Sequence, residues 1–179
     1  MEKSYMLKNG SVLTLREPTL EDALPLIAFH QRVGGETDFL LSDEKGIPGL
    51  DEEKERAYLK STLEAPNTRM YLAFVEDALV GLADVRAAGR PRIAHNGSIG
   101  IVVSKEFWGQ GVGRILMEEL IAFARATGVL TRLELSVRSD NERAIALYQR
   151  QGFVQCGQMH RQMKVGDGYY DTLLMELLL

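Results

Sequence analysis

Ile99–Phe123 reads IGIVVSKEFWGQGVGRILMEELIAF, and its two halves follow different periods. Ile99, Ile101 and Val103 alternate as residues of a half-buried strand do, whereas Val112, Ile115, Leu116, Leu120 and Phe123 recur at helical spacing. Gly109, Gly111 and Gly113 fall between strand and helix. With their β-carbons missing, backbone N–H groups can approach a bound group closely, just where the unpaired donors and positive end of a helix begin. That combination describes an anion site and suits a phosphate. A plain glycine-rich turn capping a helix is the other reading of the loop alone.

Spacing sets aside two common phosphate loops. A P-loop carries Lys and then Ser or Thr directly after its last glycine, and here Arg114 and Ile115 follow. A dinucleotide fingerprint reads G-x-G-x-x-G with an acidic residue closing a second strand about 20 residues on, and neither feature is present. Farther along, Asn141, Ala144, Leu147, Tyr148, Gly152 and Phe153 spell N-x-x-A-x-x-L-Y-x-x-x-G-F. Taken in order, the two motifs resemble those of the GNAT superfamily of N-acetyltransferases, whose coenzyme loop is usually written Q/R-x-x-G-x-G/A. Trp108 stands where Gln or Arg is usual, and Gly111 and Gly113 hold the last two positions.

The resemblance implies an α/β fold with a mixed, mostly antiparallel central sheet of about seven strands flanked by about four helices. It implies acetyl-coenzyme A as cosubstrate, no metal, and transfer of the acetyl group to a primary amine, on a small molecule or a peptide, by direct attack in a ternary complex. The implied coenzyme contacts are Ile101, Val102, Val103, Trp108, Gly109, Gln110, Gly111, Val112, Gly113, Arg114, Asn141, Ala144 and Tyr148. Tyr148 takes the role of general acid to the departing thiolate. A coenzyme A binding or sensing module without turnover is the alternative. Its support is that Gly97, Ser98 and Ile99 place no carboxylate on the strand where many relatives carry a glutamate base.

The rest of the chain agrees with one soluble domain, expected to span 1–179. Its 179 residues suffice for a sizeable core. A composition of 45% hydrophobic and 26% charged residues, with a net charge of -4, is that of an ordinary globular protein. Mild acidity argues against non-specific nucleic-acid binding, which needs a basic face, and leans toward a cationic substrate. The single cysteine, Cys156, excludes an internal disulfide and a cysteine-based metal site, and reads as core filler. MEKSYMLKNGS lacks the apolar core of a signal peptide and no apolar run reaches membrane-spanning length, so a cytoplasmic location without membrane partners is expected.

In chain order, Val12–Arg16 alternates as the opening strand, and Thr19 with Asp22 resembles a capping box before a helix reaching about Arg32. Gly34 to Glu55 is irregular and acidic, reading as a solvated face or as an acidic lip that attracts an ammonium substrate; a second helix runs from about Glu52 to Leu63. In the resembled family this region borders the acceptor pocket. Met70–Val75 and the segment after Glu76-Asp77 read as a hairpin, Gly97 to Val103 adds a neighbour, and Leu130 to Val137, after a helical crossover, can lie parallel to it. Two parallel neighbours can splay, and the family places the pantetheine arm in that opening.

The next helix begins with Ser139 and Glu142 spaced as a capping box and ends at Gly152. Asn141, Ala144, Ile145 and Tyr148 share one face, with small Ala144 leaving room for a ligand. From the residues alone, Asn141 also suits a first-turn polar position and Tyr148 a core aromatic. An oxyanion donor is expected from a backbone N–H near Ile101 to Val103 if a bulge turns it inward. Glu134, Asp84, His95 or a water chain remain as acceptors for the amine proton. The tail reads as a hairpin around Gly166-Asp167-Gly168, with His160 and Arg161 exposed; its apolar last strand, Thr172 to Leu179, either packs internally or forms a homodimer seam.

Overall fold

The structure is a computed structural model that describes residues 2–179. Eight strands make one sheet: β1 (Lys3–Met6), β2 (Val12–Arg16), β3 (Arg69–Val75), β4 (Ala78–Ala87), β5 (Asn96–Val103), β6 (Arg132–Arg138), β7 (Val154–Val165) and β8 (Gly168–Leu178). Their spatial order is β1-β2-β3-β4-β5-β6-β8-β7. Neighbours run antiparallel except β5 and β6, which are parallel. Four helices flank the sheet: α1 (Ala23–Glu36), α2 (Glu52–Glu64), α3 (Val112–Ala126) and α4 (Glu142–Arg150).

The sheet is covered on both faces. Val80, Ala83 and Val85 of β4 pack with Ile115, Leu116, Leu120 and Ala124 of α3, while Leu79 and Leu82 of β4 pack with Leu26 and Phe29 of α1 and Leu59 of α2. This explains why LVGLADV reads as a nearly unbroken apolar run rather than a clean alternation. Among its seven residues only Asp84 is charged, and it is buried with the rest.

Local chemistry sets the helix starts. Asp22 accepts from Thr19 N at 2.7 Å and receives the Arg16 guanidinium at 2.7 and 2.8 Å, closing the turn before α1. Asp51 caps α2 by accepting from Lys54 N at 2.9 Å. The start of α4 departs from expectation: the cap is Asn141, whose Oδ1 accepts from Ala144 N at 3.2 Å, and Ser139 N instead donates to Asp171 O at 2.9 Å. Asn141 wins because its short amide reaches the first helical turn directly, while Ser139 is drawn into the neighbouring β8.

Other expectations also shift. An eighth strand, β1, adds to the expected seven; KSYM lacks an alternating apolar pattern, and only its pairing with β2 makes it a strand. The last strand is interior, hydrogen-bonded on one side to β6 and on the other to β7, so internal packing accounts for its apolar residues and the homodimer seam loses its argument. Cys156 is not core filler. It lies exposed on the edge strand β7, where the register with β8 slips between Gln155 and Gly157. His160 and Arg161 are exposed as expected, in a second irregularity that Asp171 of β8 holds by accepting from Arg161 N at 2.8 Å.

Candidate functional site

β5 and β6 hydrogen-bond as a parallel pair only from Asn96↔Arg132 to Ser98↔Glu134, and beyond Ser98 they separate. On its other side β5 stays in register with β4 from Ala87↔Gly97 to Gly81↔Val103. Ala88 N donates to Asn96 O at 3.0 Å and Ser104 N to Val80 O at 2.9 Å, which fixes the phase of the ladder. Even-numbered β5 residues therefore turn N–H and C=O toward β4, and odd-numbered ones turn theirs toward β6. Where β6 has parted, Ile101 and Val103 are left with backbone groups facing the gap. No bulge is needed; the regular ladder corrects that expectation. Val102 bonds Leu82 instead and packs its side chain on the α1 and α2 face.

Trp108 closes the lower end of the gap. Its indole Nε1 donates to Val103 O at 2.7 Å, satisfying the last carbonyl of the open edge and leaving that residue's N–H free. The Arg143 guanidinium of α4 stacks on the indole at 3.4 Å from the ring centroid. The residue that replaces the usual Gln or Arg thus carries a cation on its face, recruited from another element.

The glycine loop follows. Gly109 (φ 80°) and Gly111 (φ 106°) adopt left-handed backbone, and Gly111 is the N-cap of α3. A β-carbon at either would meet nothing within 4 Å, so open space lies over the loop. Gln110 O accepts from Lys8 N at 3.2 Å, tying the loop to the β1–β2 turn. The N–H groups of Val112, Gly113 and Arg114 are the unpaired first-turn donors of α3. The Arg114 side chain is turned along the helix to Glu118, at 2.7 Å, so at this site its backbone acts rather than its guanidinium. At Gly113 a β-carbon would approach Leu147 of α4 to 3.2 Å and Ile101 and Val103 of β5 to 3.9 Å, so this glycine lets α3 seat close against both.

From α4, Tyr148 belongs to the core cluster against which Ala144, Ile101 and Val103 pack. Tyr148 is 7% exposed, packed against Phe153 at 6.2 Å between centroids. Burial pushes its hydroxyl up to about 12, with no hydrogen bond to it among the described residues. Such a phenol is fully protonated near neutrality and free to donate. Asn141 spends its carbonyl oxygen on the cap and keeps its amide N–H groups.

The three carboxylate and imidazole alternatives separate in space. His95 is exposed and lies just before β5, at the end where β5 and β6 are paired; its backbone oxygen accepts from Thr131 N and Arg132 N. Glu134 sits beside Ser98 at the last paired step, 47% exposed and bonded to Arg132 at 2.5 Å. Asp84 is opposite Gly100, two β5 residues past the last pair with β6. Sequence reasoning missed Glu36 of α1, which accepts from Ser104 Oγ at 2.9 Å and Lys105 N at 2.6 Å and braces the turn below the gap. It also missed Arg138, whose guanidinium lies between Phe39 and Tyr170 at 4.3 and 4.2 Å and donates to Asp38 O at 2.9 Å. Neither is marked by a motif, since each acts across elements distant in sequence.

Residues 37–153 match the family model described as the acetyltransferase (GNAT) family. The chain is 36% identical over 103 residues to the N-alpha-acetyltransferase RimI of Mycobacterium tuberculosis, covering 58% of this chain and 63% of that one. It is 31% identical over 90 residues to the L-amino acid N-acetyltransferase AaaT of Escherichia coli, covering 50% of this chain and 56% of that one. The matches therefore span between about half and two thirds of these curated relatives. Among solved structures, an acetyltransferase of the GNAT family from Streptococcus pneumoniae superposes with a TM-score of 0.89 at 37% identity, covering 93% of this chain and 99% of that one.

Proposed function

The chain belongs to the GNAT acetyltransferase family, and from that premise we propose that it moves the acetyl group of acetyl-coenzyme A to a primary amine in a ternary complex. The observation that carries this reading is the gap between β5 and β6, with Ile101 and Val103 facing it, the α3 N-terminus beyond its end and Tyr148 of α4 in the core cluster against which those two residues pack. A bound coenzyme would find donors for its phosphates at Gly111 to Arg114, with the Arg143 cation nearby, and an unpaired strand edge for its extended arm. The free N–H groups of that edge are suited to an oxygen that gains charge during acyl transfer. Tyr148, held protonated, donates to the thiolate as it leaves.

The relatives' names support an acceptor class: one is an N-alpha-acetyltransferase, one an L-amino acid N-acetyltransferase and one a ribosomal protein bS18-alanine N-acetyltransferase. An α-amine, free or at a peptide terminus, is the acceptor proposed here. The test is calorimetric titration with acetyl-coenzyme A, followed by thiol release with amino acids, short peptides and polyamines. Tyr148→Phe should keep coenzyme binding and lower turnover on the order of 10²-fold. Unchanged turnover removes Tyr148 from the mechanism. Binding without thiol release on any amine supports a coenzyme A sensing module instead.

A further inference from the structure

We infer that Asp84 holds the acceptor amine as its ammonium and takes the proton that must leave before attack, an inference that rests on the acetyl-transfer reading above. An ammonium nitrogen has no lone pair, so a carboxylate beside the acyl carbon answers both needs at once. Asp84 is 6% exposed, and its Oδ2 has no hydrogen-bond partner among the described residues. Arg86 Nε lies 2.9 Å from that oxygen without the alignment of a hydrogen bond, and its own side chain is half exposed. A buried carboxylate oxygen without a hydrogen bond is costly, and the half-exposed Arg86 cation offsets that cost only in part.

Its direction is set by its neighbour. A β-carbon on Gly100 would fall 2.6 Å from Asp84 Oδ1, so the carboxylate lies over β5 where only a glycine leaves room. Gly100 lies two residues past the last β5–β6 pair and is the first beyond it on the α1 and α2 face, so the carboxylate reaches across one strand toward the open edge. It does so on the face covered by α1 and α2, opposite the face on which Ile101 and Val103 pack with α3. Coenzyme and amine are thereby approached from opposite sides of the sheet. The groups around Asp84 are Arg86 on its own strand, Tyr58 from α2, and uncharged Met70 of β3 and Gly100 of β5. On the same face α2 also buries Glu55 and α1 half-buries His30. Burial pushes Asp84 up to about 6, with Arg86 opposing, so near neutrality it is ionised and ready to hold a cation.

In the reaction the ammonium gives one proton to Asp84. The freed lone pair forms the C–N bond while the carbonyl π pair moves to oxygen. When the C=O bond re-forms, the C–S bond breaks and its pair leaves on sulfur. The sulfur takes the Tyr148 proton, the second proton shed by nitrogen restores the phenol, and Asp84 passes the first to solvent. One proton is released for each acetyl group transferred.

Asp84→Asn tests this beside wild type and Glu134→Gln. Three quantities are measured: acetyl-coenzyme A affinity, affinity of the amine for the protein saturated with free coenzyme A, and kcat/KM for the amine from pH 5 to 9. Asp84→Asn should keep acetyl-coenzyme A affinity within about twofold, weaken amine binding at least about tenfold, lower kcat/KM on the order of 10²-fold and abolish its acid limb near pH 6. Glu134→Gln should keep that limb. An active wild type with an indifferent Asp84→Asn, or one whose acid limb moves only with Glu134→Gln, overturns this inference alone. A wild type that releases no thiol with any amine overturns the acetyl-transfer reading and this inference with it.

Discussion

Asp84 also makes a prediction about stability, and its sign is unusual for a charged residue. Burial raises its folded value from 3.8 to about 6, so the folded chain holds the proton more tightly than the unfolded chain does. Below about pH 4 both states carry the proton and the site costs nothing. As pH rises toward 6 the unfolded carboxyl ionises freely while the folded one ionises at a cost, and above 6 the full cost remains. A shift of roughly two units corresponds to about 3 kcal/mol. Asp84→Asn should therefore stabilise the protein by about 1–3 kcal/mol at pH 7.5 and by almost nothing at pH 4, read from denaturant unfolding at both values. A variant less stable than wild type at pH 7.5 would mean the carboxylate is satisfied. Tyr148 was legible from its motif and helical face. Asp84 was legible only as a lone charge in a buried apolar run, because nothing in the chain shows that Gly100 stands across from it.

The joint between β5, the glycine loop and α4 belongs to the scale of elements, and Trp108 makes it. One indole closes the open edge through Val103 O and presents its face to Arg143, so the first turn of α4 is tied to the end of β5. Trp108→Ala removes a partly buried hydrogen bond and a cation–π contact, and should weaken acetyl-coenzyme A binding by about 5- to 20-fold, or about 1–2 kcal/mol. Trp108→Phe keeps the ring and should fall between; isothermal titration distinguishes the three proteins. If Trp108→Ala binds as wild type does, Arg143 is not a coenzyme contact. The strand, loop and helix were each read from their periods, while the cap of α4 was misassigned because two neighbouring residues, Ser139 and Asn141, both suit an N-cap.

Across the whole molecule, the acidic connection between α1 and α2 must be held against the far half of the sheet, and Arg138 does this. Only 8% exposed, it stacks between Phe39 of that connection and Tyr170 of β8, bonds Asp140, and donates to Asp38 O. Arg138→Ala should raise KM for the amine at least about tenfold while leaving acetyl-coenzyme A affinity within about twofold, and should cost about 1–3 kcal/mol of stability. Steady-state kinetics with each substrate varied in turn checks the split, and an equal loss for both substrates would show that the contact serves the fold alone. By itself the sequence determined the order of most elements, the glycine loop at the start of α3 and the face that carries Tyr148. Those features depend on residue period, missing β-carbons and spacing within one helix, all of which are local. Tertiary structure alone decided where β5 and β6 part, which β5 residues face the gap, that β8 is interior, and that Asp84, Trp108 and Arg138 find Gly100, Arg143 and Phe39. Strand register and contacts across the sheet pair residues far apart in the chain, and no local pattern encodes them.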